Sequence, residues 1–372
     1  MKKRIVLSGG FSGGHLFPLV TVARYLKENY GEDNFEFLFL GPKGRLESEL
    51  MKKNNIEQKD ILCGKLRRYF SFRYLVDFLK LPVGFFQSLW HLFVFMPEVV
   101  FAKGGFASVP VVLAAKAYRI PVIIHESDAI PGIANKFLGS ISNLITVNFK
   151  KAAEYFPKDK VFEAGLPVKK DALEGDGQKA RELLGLKKEV KPVVLFLGGS
   201  QGAFAVNEAV INSIEELTHY FQVVHQTGEA HYEAVKKTVE RKGYKIGYSD
   251  YHPFGFLGEK LKDVIDLADV VVSRAGATTI AELAANGKPV LLVPISRSAN
   301  DHQRINAYEL AKNKAALVLE EGNFSKNMLM HNLKRIAFED KVRIDLSRNI
   351  KGFYYPDATS KIADKIMLLA DK

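Results

Sequence analysis

Short apolar runs alternate along the chain with longer stretches in which apolar residues recur every three or four positions. The short runs are typical of buried strands, and the longer period is typical of helices. Such alternation indicates repeated βα units and a mostly parallel sheet. The first helical stretch is predicted over residues 16–30. The predicted strands are residues 4–8, 35–40, 99–102, 121–125, 144–147, 192–197, 222–225, 270–273, 290–293 and 316–319.

These strands form two series that begin in the same way, each with a strand, a glycine turn and a helix. The turn is GGFSGG at 9–14 in the first series and GGSQG at 198–202 in the second. We therefore predict an α/β protein with two doubly wound, Rossmann-like domains facing across a cleft. The first domain is residues 1–165, to which a C-terminal helix of about 350–372 returns, and the second is residues 166–349.

Composition and charge narrow the class of protein. The chain of 372 residues is 47% hydrophobic and 26% charged, which excludes a mainly disordered chain, a collagen-like repeat and a disulfide scaffold. Its net charge of +11 is compatible with nucleic acid, anionic lipid or phosphate-bearing substrates and does not by itself decide between them. We expect no nucleic acid, because zinc-finger spacing, RNP-type aromatics and basic zipper heptads are missing from the sequence. The single Cys63 and an N-terminus without a signal-peptide pattern favour the cytoplasm.

A glycine turn between a strand and a helix is a favourable anion site, because backbone N–H groups and the helix dipole face the ligand there. For one isolated turn the simpler interpretation is that glycine permits a tight bend. Two equivalent turns favour a phosphate-rich ligand between the domains. A dinucleotide is disfavoured, since neither turn reads GxGxxG and strand 35–40 ends in Gly41-Pro42 where an acidic residue is expected. The phosphate-binding loop of nucleoside triphosphatases is also missing from the sequence.

A third segment, SRAGATTIAELAANGKP at 273–289, combines a strand end, a turn of small residues and a helix predicted to begin near Thr278. The backbone N–H groups of Ala277, Thr278 and Thr279 could face a diphosphate. Glu282 lies within the first helical turn, where it could accept hydrogen bonds from a ribose. The alternative is that Glu282 caps the helix by bonding Thr279 or a neighbour.

Together these segments resemble the MurG family, the undecaprenyl-diphospho-muramoyl-pentapeptide N-acetylglucosaminyltransferases with the GT-B fold. The resemblance implies inverting transfer of N-acetylglucosamine from UDP to the muramoyl 4-hydroxyl of lipid I, which forms lipid II and UDP in peptidoglycan synthesis. It also implies no cofactor and no metal, and the sequence carries neither a DxD motif nor a cluster at metal-ligand spacing. The matching segments are SGGFSGGHLFP (8–18), GKLRRYFS (64–71), KGGFASVP (103–110), HESDAIPGIANK (125–136), GGSQGA (198–203), HQTG (225–228), SRAGATTIAE (273–282), DHQ with the following Asn306-Ala307 (301–307) and PDAT (356–359).

The resemblance implies a UDP-N-acetylglucosamine site mainly in the second domain. There the glycine turn would contact the nucleotide, the N-terminus of the third segment's helix the diphosphate, and Glu282 the ribose. Gln303 would hold hydroxyls of the transferred sugar, and backbone near Leu257 would read uracil. The donor residues implied are Lys169, Ser200, Gln201, Leu257, Ala277, Thr278, Thr279, Glu282 and Gln303.

The lipid I site would lie in the first domain. His15 is the candidate general base, because removing the hydroxyl proton needs a group that titrates near neutral pH. Glu126 and Asp128 compete for this role, and His15 could instead cap the turn or orient the acceptor. The acceptor-binding residues implied are Ser12, Gly13, Gly14, Lys65, Arg67, Arg68, Gly104, Gly105, Ser108 and Asn135.

The chain departs from the family pattern at several positions. Phe11 and Ser12 stand where the first turn commonly has Gly and Thr, so that Phe11 either points outward or changes the approach of the acceptor. Asp128 replaces an Asn. Leu166 and Lys169 replace the Asn and Arg of a GNPVR segment, which exchanges a bidentate guanidinium for an ammonium.

Residues 65–100 are the most aromatic part of the chain, and Lys65, Arg67 and Arg68 lie at their start. Residues 81–101 are long enough to span a bilayer, but polar residues and prolines interrupt them, so we expect no span. Basic residues beside aromatics instead predict docking on an anionic membrane surface, with the protein peripherally attached to the inner face. The alternatives are that the aromatics are mostly core, and that Arg67 and Arg68 bind the acceptor diphosphate directly.

Two rival functions remain. One is another GT-B transferase that uses a UDP-sugar and a lipid acceptor such as diacylglycerol. The segments GKLRRYFS and KGGFASVP favour a MurG-like acceptor over this alternative. The other is a non-catalytic, membrane-anchoring subunit that binds a sugar nucleotide. Such a subunit usually needs only one domain, whereas this chain has both predicted ligand-binding halves.

Overall fold

A computed structural model of the chain describes residues 2–64, 73–186, 191–199, 202–246, 250–296 and 301–371, with 73–79 described in their backbone alone. The chain divides into two compact units, Met1–Val168 with Tyr355–Lys372 and Lys169–Tyr354. The helices are α1 Gly13–Tyr30, α2 Arg45–Lys53, α3 Arg73–Phe95, α4 Val109–Ala117, α5 Ile133–Ile141, α6 Lys150–Ala153, α7 Gly177–Leu184, α8 Phe204–Tyr220, α9 Tyr232–Arg241, α10 Leu261–Leu267, α11 Ala277–Ala285, α12 His302–Lys312, α13 Lys326–Phe338, α14 Asp340–Ile350 and α15 Ala358–Ala370.

Each unit is built on one parallel sheet. The first sheet has the order β3-β2-β1-β4-β5-β6-β7 and the second the order β10-β9-β8-β11-β12-β13. This confirms the prediction of two doubly wound α/β domains. The strands are β1 Lys3–Ser8, β2 Phe35–Gly41, β3 Glu57–Asp60, β4 Val99–Ala102, β5 Val122–Glu126, β6 Leu144–Val147, β7 Val161–Glu163, β8 Val193–Leu197, β9 Gln222–Gln226, β10 Tyr251–Phe254, β11 Val270–Ser273, β12 Val290–Leu292 and β13 Leu317–Val318.

The order of strands reverses direction once in each sheet, between β1 and β4 in the first and between β8 and β11 in the second. In sheets of this kind ligands bind outside the carboxyl ends of the strands at such a reversal. The register places those ends side by side, with Ser8 opposite Ala102 and Ser273 opposite Leu197. Both glycine turns, and the loops that follow β4 and β11, therefore lie at a reversal point.

Buried apolar residues line both faces of the first sheet, because successive strand residues point to opposite sides. On one face Ile5 and Leu7 pack in a cluster with Leu19 of α1 and with Ile362 and Ile366 of α15. The C-terminal helix thus returns to the first unit, as predicted. The other face of this sheet is covered by α3, α4 and α5, and a separate cluster forms the core of the second unit.

The predicted strands all form, with ends that differ by no more than one residue. The prediction missed β3, β7 and β10, which lie at sheet edges. An edge strand does not have to be apolar on both faces, and β3 reads Glu-Gln-Lys-Asp. Within the described residues, no helix is long and apolar enough to cross a membrane.

Candidate active site

In the first unit, the loops after β1, β4 and β5 meet at the carboxyl edge of the sheet. The Lys103 N–H donates to the Ser8 carbonyl (2.8 Å), which joins the loop after β4 to the glycine turn. The turn leads into α1, whose first residue is Gly13. The carbonyl of Ser12 accepts from the His15 N–H at 3.1 Å. The N–H groups of Gly13 and Gly14 precede the first intrahelical bonds, and such groups are suited to hold an anion.

Phe11 takes a left-handed backbone conformation, with a φ of 68°. Its side chain is 39% exposed, so of the two interpretations offered for this residue the outward one agrees with the structure. The Phe11 N–H donates to Oε1 of Glu47 at 2.8 Å. Glu47 is a buried residue of α2 that sequence reasoning missed, because nothing in a helix sequence indicates which distant turn a carboxylate will reach.

His15 lies against the loop after β4. A Cβ on Gly105 would lie 2.9 Å from Cε1 of His15, and one on Gly104 would lie 1.7 Å from Oδ1 of Asn135. Both glycines have left-handed φ angles, of 83° at Gly104 and 74° at Gly105. The loop therefore fits between His15 and Asn135 only because it lacks side chains at these positions. The structure thus brings together four of the predicted residues.

Glu126 is buried at the end of β5, and both its carboxylate oxygens are occupied. Asn135 Nδ2 donates to Oε2 at 2.8 Å, and the Asp128 N–H donates to Oε1 at 2.9 Å. Burial raises the pKa of Glu126, and the charge of Asp128 raises it further, while Lys103 and the two hydrogen bonds lower it. Glu126 thus organises the loop that carries Asp128.

Lys103 is a second residue that sequence reasoning did not single out. It is buried beside Glu126 and Asp128, and burial lowers the pKa of its amine to about 8 while the two carboxylates act in the opposite direction. Ser108 is also buried, and its hydroxyl donates to the Gly104 carbonyl at 3.0 Å, which closes the same loop. The remaining predicted acceptor residues, Lys65, Arg67 and Arg68, lie outside the described residues.

In the second unit, the turn after β11 leads into α11, which begins at Ala277, one residue before the predicted start. Because the N-cap is Gly276, no side chain at that position caps the helix. The first intrahelical bond runs from the Ile280 N–H to the Gly276 carbonyl at 2.9 Å. The N–H groups of Ala277, Thr278 and Thr279 precede it, and such groups are suited to hold an anion.

Glu282 lies one turn further along α11 and is partly buried. Burial raises the pKa of its carboxyl to about 7, and the positive charge of Lys169 opposes this rise. A carboxyl group that titrates near neutral pH beside an anion site is a strong candidate for ligand binding. Lys169 also lies near enough for its charge to act here, although the sequence placed it on a different segment.

Two further predicted donor residues hold loops in place. Oε1 of Gln303, on α12, accepts from the Ile295 N–H at 3.2 Å. Leu257 is buried, and its N–H donates to Oε1 of Gln226 at 3.1 Å. The glycine turn after β8 is described up to Gly199 and from Gly202 on, and the predicted Ser200 and Gln201 lie outside the described residues.

Arg274, in the loop after β11, is a third residue whose role was missed. Its guanidinium donates to the Val293 carbonyl at 3.0 Å and pairs with Glu321. Oε2 of Glu321 in turn accepts from the N–H of Ser296 at 3.1 Å. These contacts join the loops after β11 and β12 to Glu321, which follows β13. In the part of the chain that the structure describes, no group of three His, Cys, Asp or Glu residues could hold a metal ion.

Comparison with known families identifies the class of protein. The glycosyltransferase family 28 N-terminal domain matches residues 5–146, and the glycosyltransferase family 28 C-terminal domain matches residues 193–362. The chain therefore belongs to glycosyltransferase family 28, and it is a glycosyltransferase.

Individual relatives narrow this assignment. A Clostridium tetani protein named UDP-N-acetylglucosamine--N-acetylmuramyl-(pentapeptide) pyrophosphoryl-undecaprenol N-acetylglucosamine transferase is 36% identical over 98% of each chain. A protein of the same name from Bacillus cytotoxicus is 34% identical over 99% of this chain and 100% of its own. The crystal structure of Acinetobacter baumannii MurG shares the fold, with a TM-score of 0.77, 23% identity and coverage of 98% of this chain and 99% of its own. The predicted membership of the MurG family is confirmed.

Proposed function

We propose that the chain transfers N-acetylglucosamine from UDP-N-acetylglucosamine to the muramoyl 4-hydroxyl of lipid I, with inversion, to give lipid II and UDP in peptidoglycan synthesis. The observation that carries the proposal is that each unit places a helix N-terminus and a glycine turn at the reversal point of its sheet. Two anion sites suit a reaction in which donor and acceptor both carry a diphosphate. The full-length relatives bear the name of this activity.

The donor site is proposed in the second unit. The N–H groups of Ala277, Thr278 and Thr279 hold the diphosphate of UDP and stabilise the charge that develops as it leaves. Glu282 accepts hydrogen bonds from the ribose hydroxyls, and Gln303 contacts the transferred sugar. In this arrangement, backbone dipoles stabilise the negative charge of the departing UDP.

The acceptor site is proposed in the first unit, with His15 as the general base. His15 takes the proton of the 4-hydroxyl while that oxygen forms a bond to the anomeric carbon, and the bond to UDP breaks with its electrons leaving on the diphosphate. The imidazolium then returns its proton to solvent. Glu126 is a weaker candidate, because two donors already occupy its carboxylate. Asp128 remains the competing base.

Because helix N-termini supply the charge stabilisation, we expect turnover without a metal ion. Purified protein should release UDP from UDP-N-acetylglucosamine only when a short-chain lipid I analogue is present, at a rate that excess EDTA leaves unchanged. Loss of release in EDTA that Mg²⁺ restores would contradict the metal-free mechanism. If the donor binds but the analogue triggers no release, while a diacylglycerol acceptor does, the rival lipid glycosyltransferase is correct.

We propose further that the protein docks peripherally on the inner face of the membrane through α3. Phe86, Trp90 and Phe93 of this helix are 67%, 64% and 63% exposed, and their spacing places them on one face. Ser88 and Leu92 on the opposite face are buried. Aromatic rings of this kind insert at the interface of a bilayer, and the basic residues that precede α3 in the sequence would face anionic headgroups.

Replacing Phe86, Trp90 and Phe93 together by serine should reduce binding to vesicles that contain phosphatidylglycerol by about tenfold or more, because each ring loses its burial in lipid. Co-sedimentation measures this, and neutral vesicles and added salt should weaken wild-type binding. The matched control replaces the similarly exposed Phe338 and Ile344 of the second unit by serine and should bind as wild type does. Equal sedimentation of the triple variant and the wild type would refute docking through α3.

A further inference from the structure

Three consecutive polar residues, His225, Gln226 and Thr227, are buried at the carboxyl end of β9. Burying polar side chains is unfavourable unless each finds a hydrogen-bond partner. All three are bonded here, and their partners lie on α8, on β10 and in the loops that follow β8 and β10. This cluster is the HQTG segment, to which the proposed chemistry assigns no role.

Gln226 joins two loops that are distant in sequence. Its Nε2 donates to the carbonyl of Gly199 at 3.2 Å, and its Oε1 accepts from the N–H of Leu257 at 3.1 Å. Gly199 belongs to the glycine turn after β8, and Leu257 follows β10. The Gly199 carbonyl also accepts from the Gly202 N–H at 3.2 Å, so Gln226 holds the atom that closes the turn.

Thr227 contacts the same two segments, the end of β10 before the Leu257 loop and the glycine turn after β8. Its N–H and its Oγ1 both donate to the carbonyl of Phe254, at 2.8 and 3.1 Å. A Cβ on Gly202 would lie 2.3 Å from the Thr227 carbonyl oxygen. The glycine turn therefore packs directly on the end of β9, with no space for a side chain between them.

His225 and Asn207 anchor this end of β9 to α8. Asn207 Nδ2 donates to the Thr227 carbonyl at 3.0 Å, so Asn207 Oδ1 faces His225 Nε2, also at 3.0 Å. Since Oδ1 can only accept, Nε2 carries the proton, and Nδ1 accepts from the Tyr251 hydroxyl at 2.9 Å. Burial lowers the pKa of His225 to about 3, which keeps the ring neutral and this pattern constant at physiological pH.

We infer that Gln226 is a positioning residue for the nucleotide: its amide fixes the glycine turn after β8 and the Leu257 loop relative to each other, so that one UDP can engage both. The inference rests on the proposed donor site. The role requires a donor on one side and an acceptor on the other, which a neutral primary amide supplies. Without the amide, the two loops have to be ordered when UDP binds, and affinity falls.

The test compares Gln226→Met with Gln222→Met. Gln222 lies at the opposite end of the same strand, is equally buried, and donates from Nε2 to the Lys191 carbonyl at 3.0 Å. Both variants lose a buried amide, Gln226→Met with two hydrogen bonds and Gln222→Met with one, so both melting temperatures should fall, and that of Gln226→Met should fall further. Calorimetric titration with UDP alone should show a Kd roughly tenfold higher for Gln226→Met, because its two loops are ordered only when UDP binds, and an unchanged Kd for Gln222→Met.

Two further measurements separate positioning from simple destabilisation. In Gln226→Met the KM for UDP-N-acetylglucosamine should rise while kcat at saturation stays near that of the wild type. Gln226→Glu keeps the acceptor for Leu257 but sets an oxygen against the Gly199 carbonyl, so it should bind UDP no more tightly than Gln226→Met.

The inference is overturned if Gln226→Met binds UDP as the wild type does, if Gln226→Glu restores wild-type affinity, or if Gln222→Met weakens binding equally. A wild-type protein that does not bind UDP would remove the proposed donor site as well, which distinguishes the two failures.

Discussion

Replacing His15 by alanine should lower kcat by about 10²- to 10⁴-fold, the usual contribution of general acid–base catalysis. The KM for UDP-N-acetylglucosamine should stay within about twofold, because the proposed donor residues lie on the other unit and the proposed base acts only in the transition state. Steady-state rates of UDP release with a lipid I analogue measure both constants. His331→Ala, an exposed histidine on α13, is the matched control and should leave both unchanged.

A second arm tests whether His15 transfers the proton or only orients the acceptor. Exogenous imidazole should restore part of the rate of His15→Ala, since it can enter the space left by the ring and accept the proton. If His15→Ala has the kcat of the wild type without imidazole, His15 is excluded as the base. Asp128→Asn should retain most activity, and a loss there comparable to that expected for His15→Ala would transfer the role to Asp128.

Replacing Glu282 by glutamine should raise the Kd for UDP by about tenfold, which corresponds to a charge-assisted hydrogen bond. The pH dependence is the sharper result. In the free protein burial raises the pKa of Glu282 to about 7, and hydrogen bonds from ribose favour the charged form, so that UDP binding releases a proton. Wild-type affinity should therefore increase as the pH rises from 6 to 8.

Calorimetry in buffers of different ionisation enthalpy counts the released proton, and Glu282→Gln corrects for titration of UDP itself. Stability should show the opposite trend. Folding raises the pKa of this carboxyl, so its contribution to stability is fully present at pH values below the pKa that it has in the unfolded chain. The contribution is lost as the pH rises through the folded-state pKa of about 7. Glu282→Gln should thus have a higher melting temperature than the wild type at pH 8. If UDP binding has the same pH profile in both proteins, the assignment of Glu282 to the ribose is contradicted.

The parts of the fold that the sequence predicts well are those whose residues are selected by burial alone. β8 and β11 are apolar on both faces, and the turns that follow them are rich in glycine and other small residues, so the reversal point of the second sheet and the start of α11 can be predicted from the sequence. β3 was missed because its residues are polar. Hydrophobic periodicity carries no information about an edge that faces water.

The residues of the candidate site also fall into a group that the sequence predicts and a group that it does not. Residues within glycine turns and helix starts, such as His15 and Thr278, follow from local pattern. Glu47, Lys103 and Gln226 do not, because each acts through a contact with a segment distant along the chain, and one sequence does not specify such pairings. Their burial and hydrogen bonds become visible only in three dimensions.

The polar character of β3 has a consequence for how copies of this protein behave when they are crowded. An exposed edge strand offers unpaired N–H and C=O groups to which another chain can add. Here one edge of the first sheet carries Glu57, Lys59 and Asp60, and the strands at two other edges, β7 and β13, are three and two residues long. Charge and brevity at these three edges disfavour the addition of a strand from another copy, so we expect no association of copies through these strands even at high protein concentration.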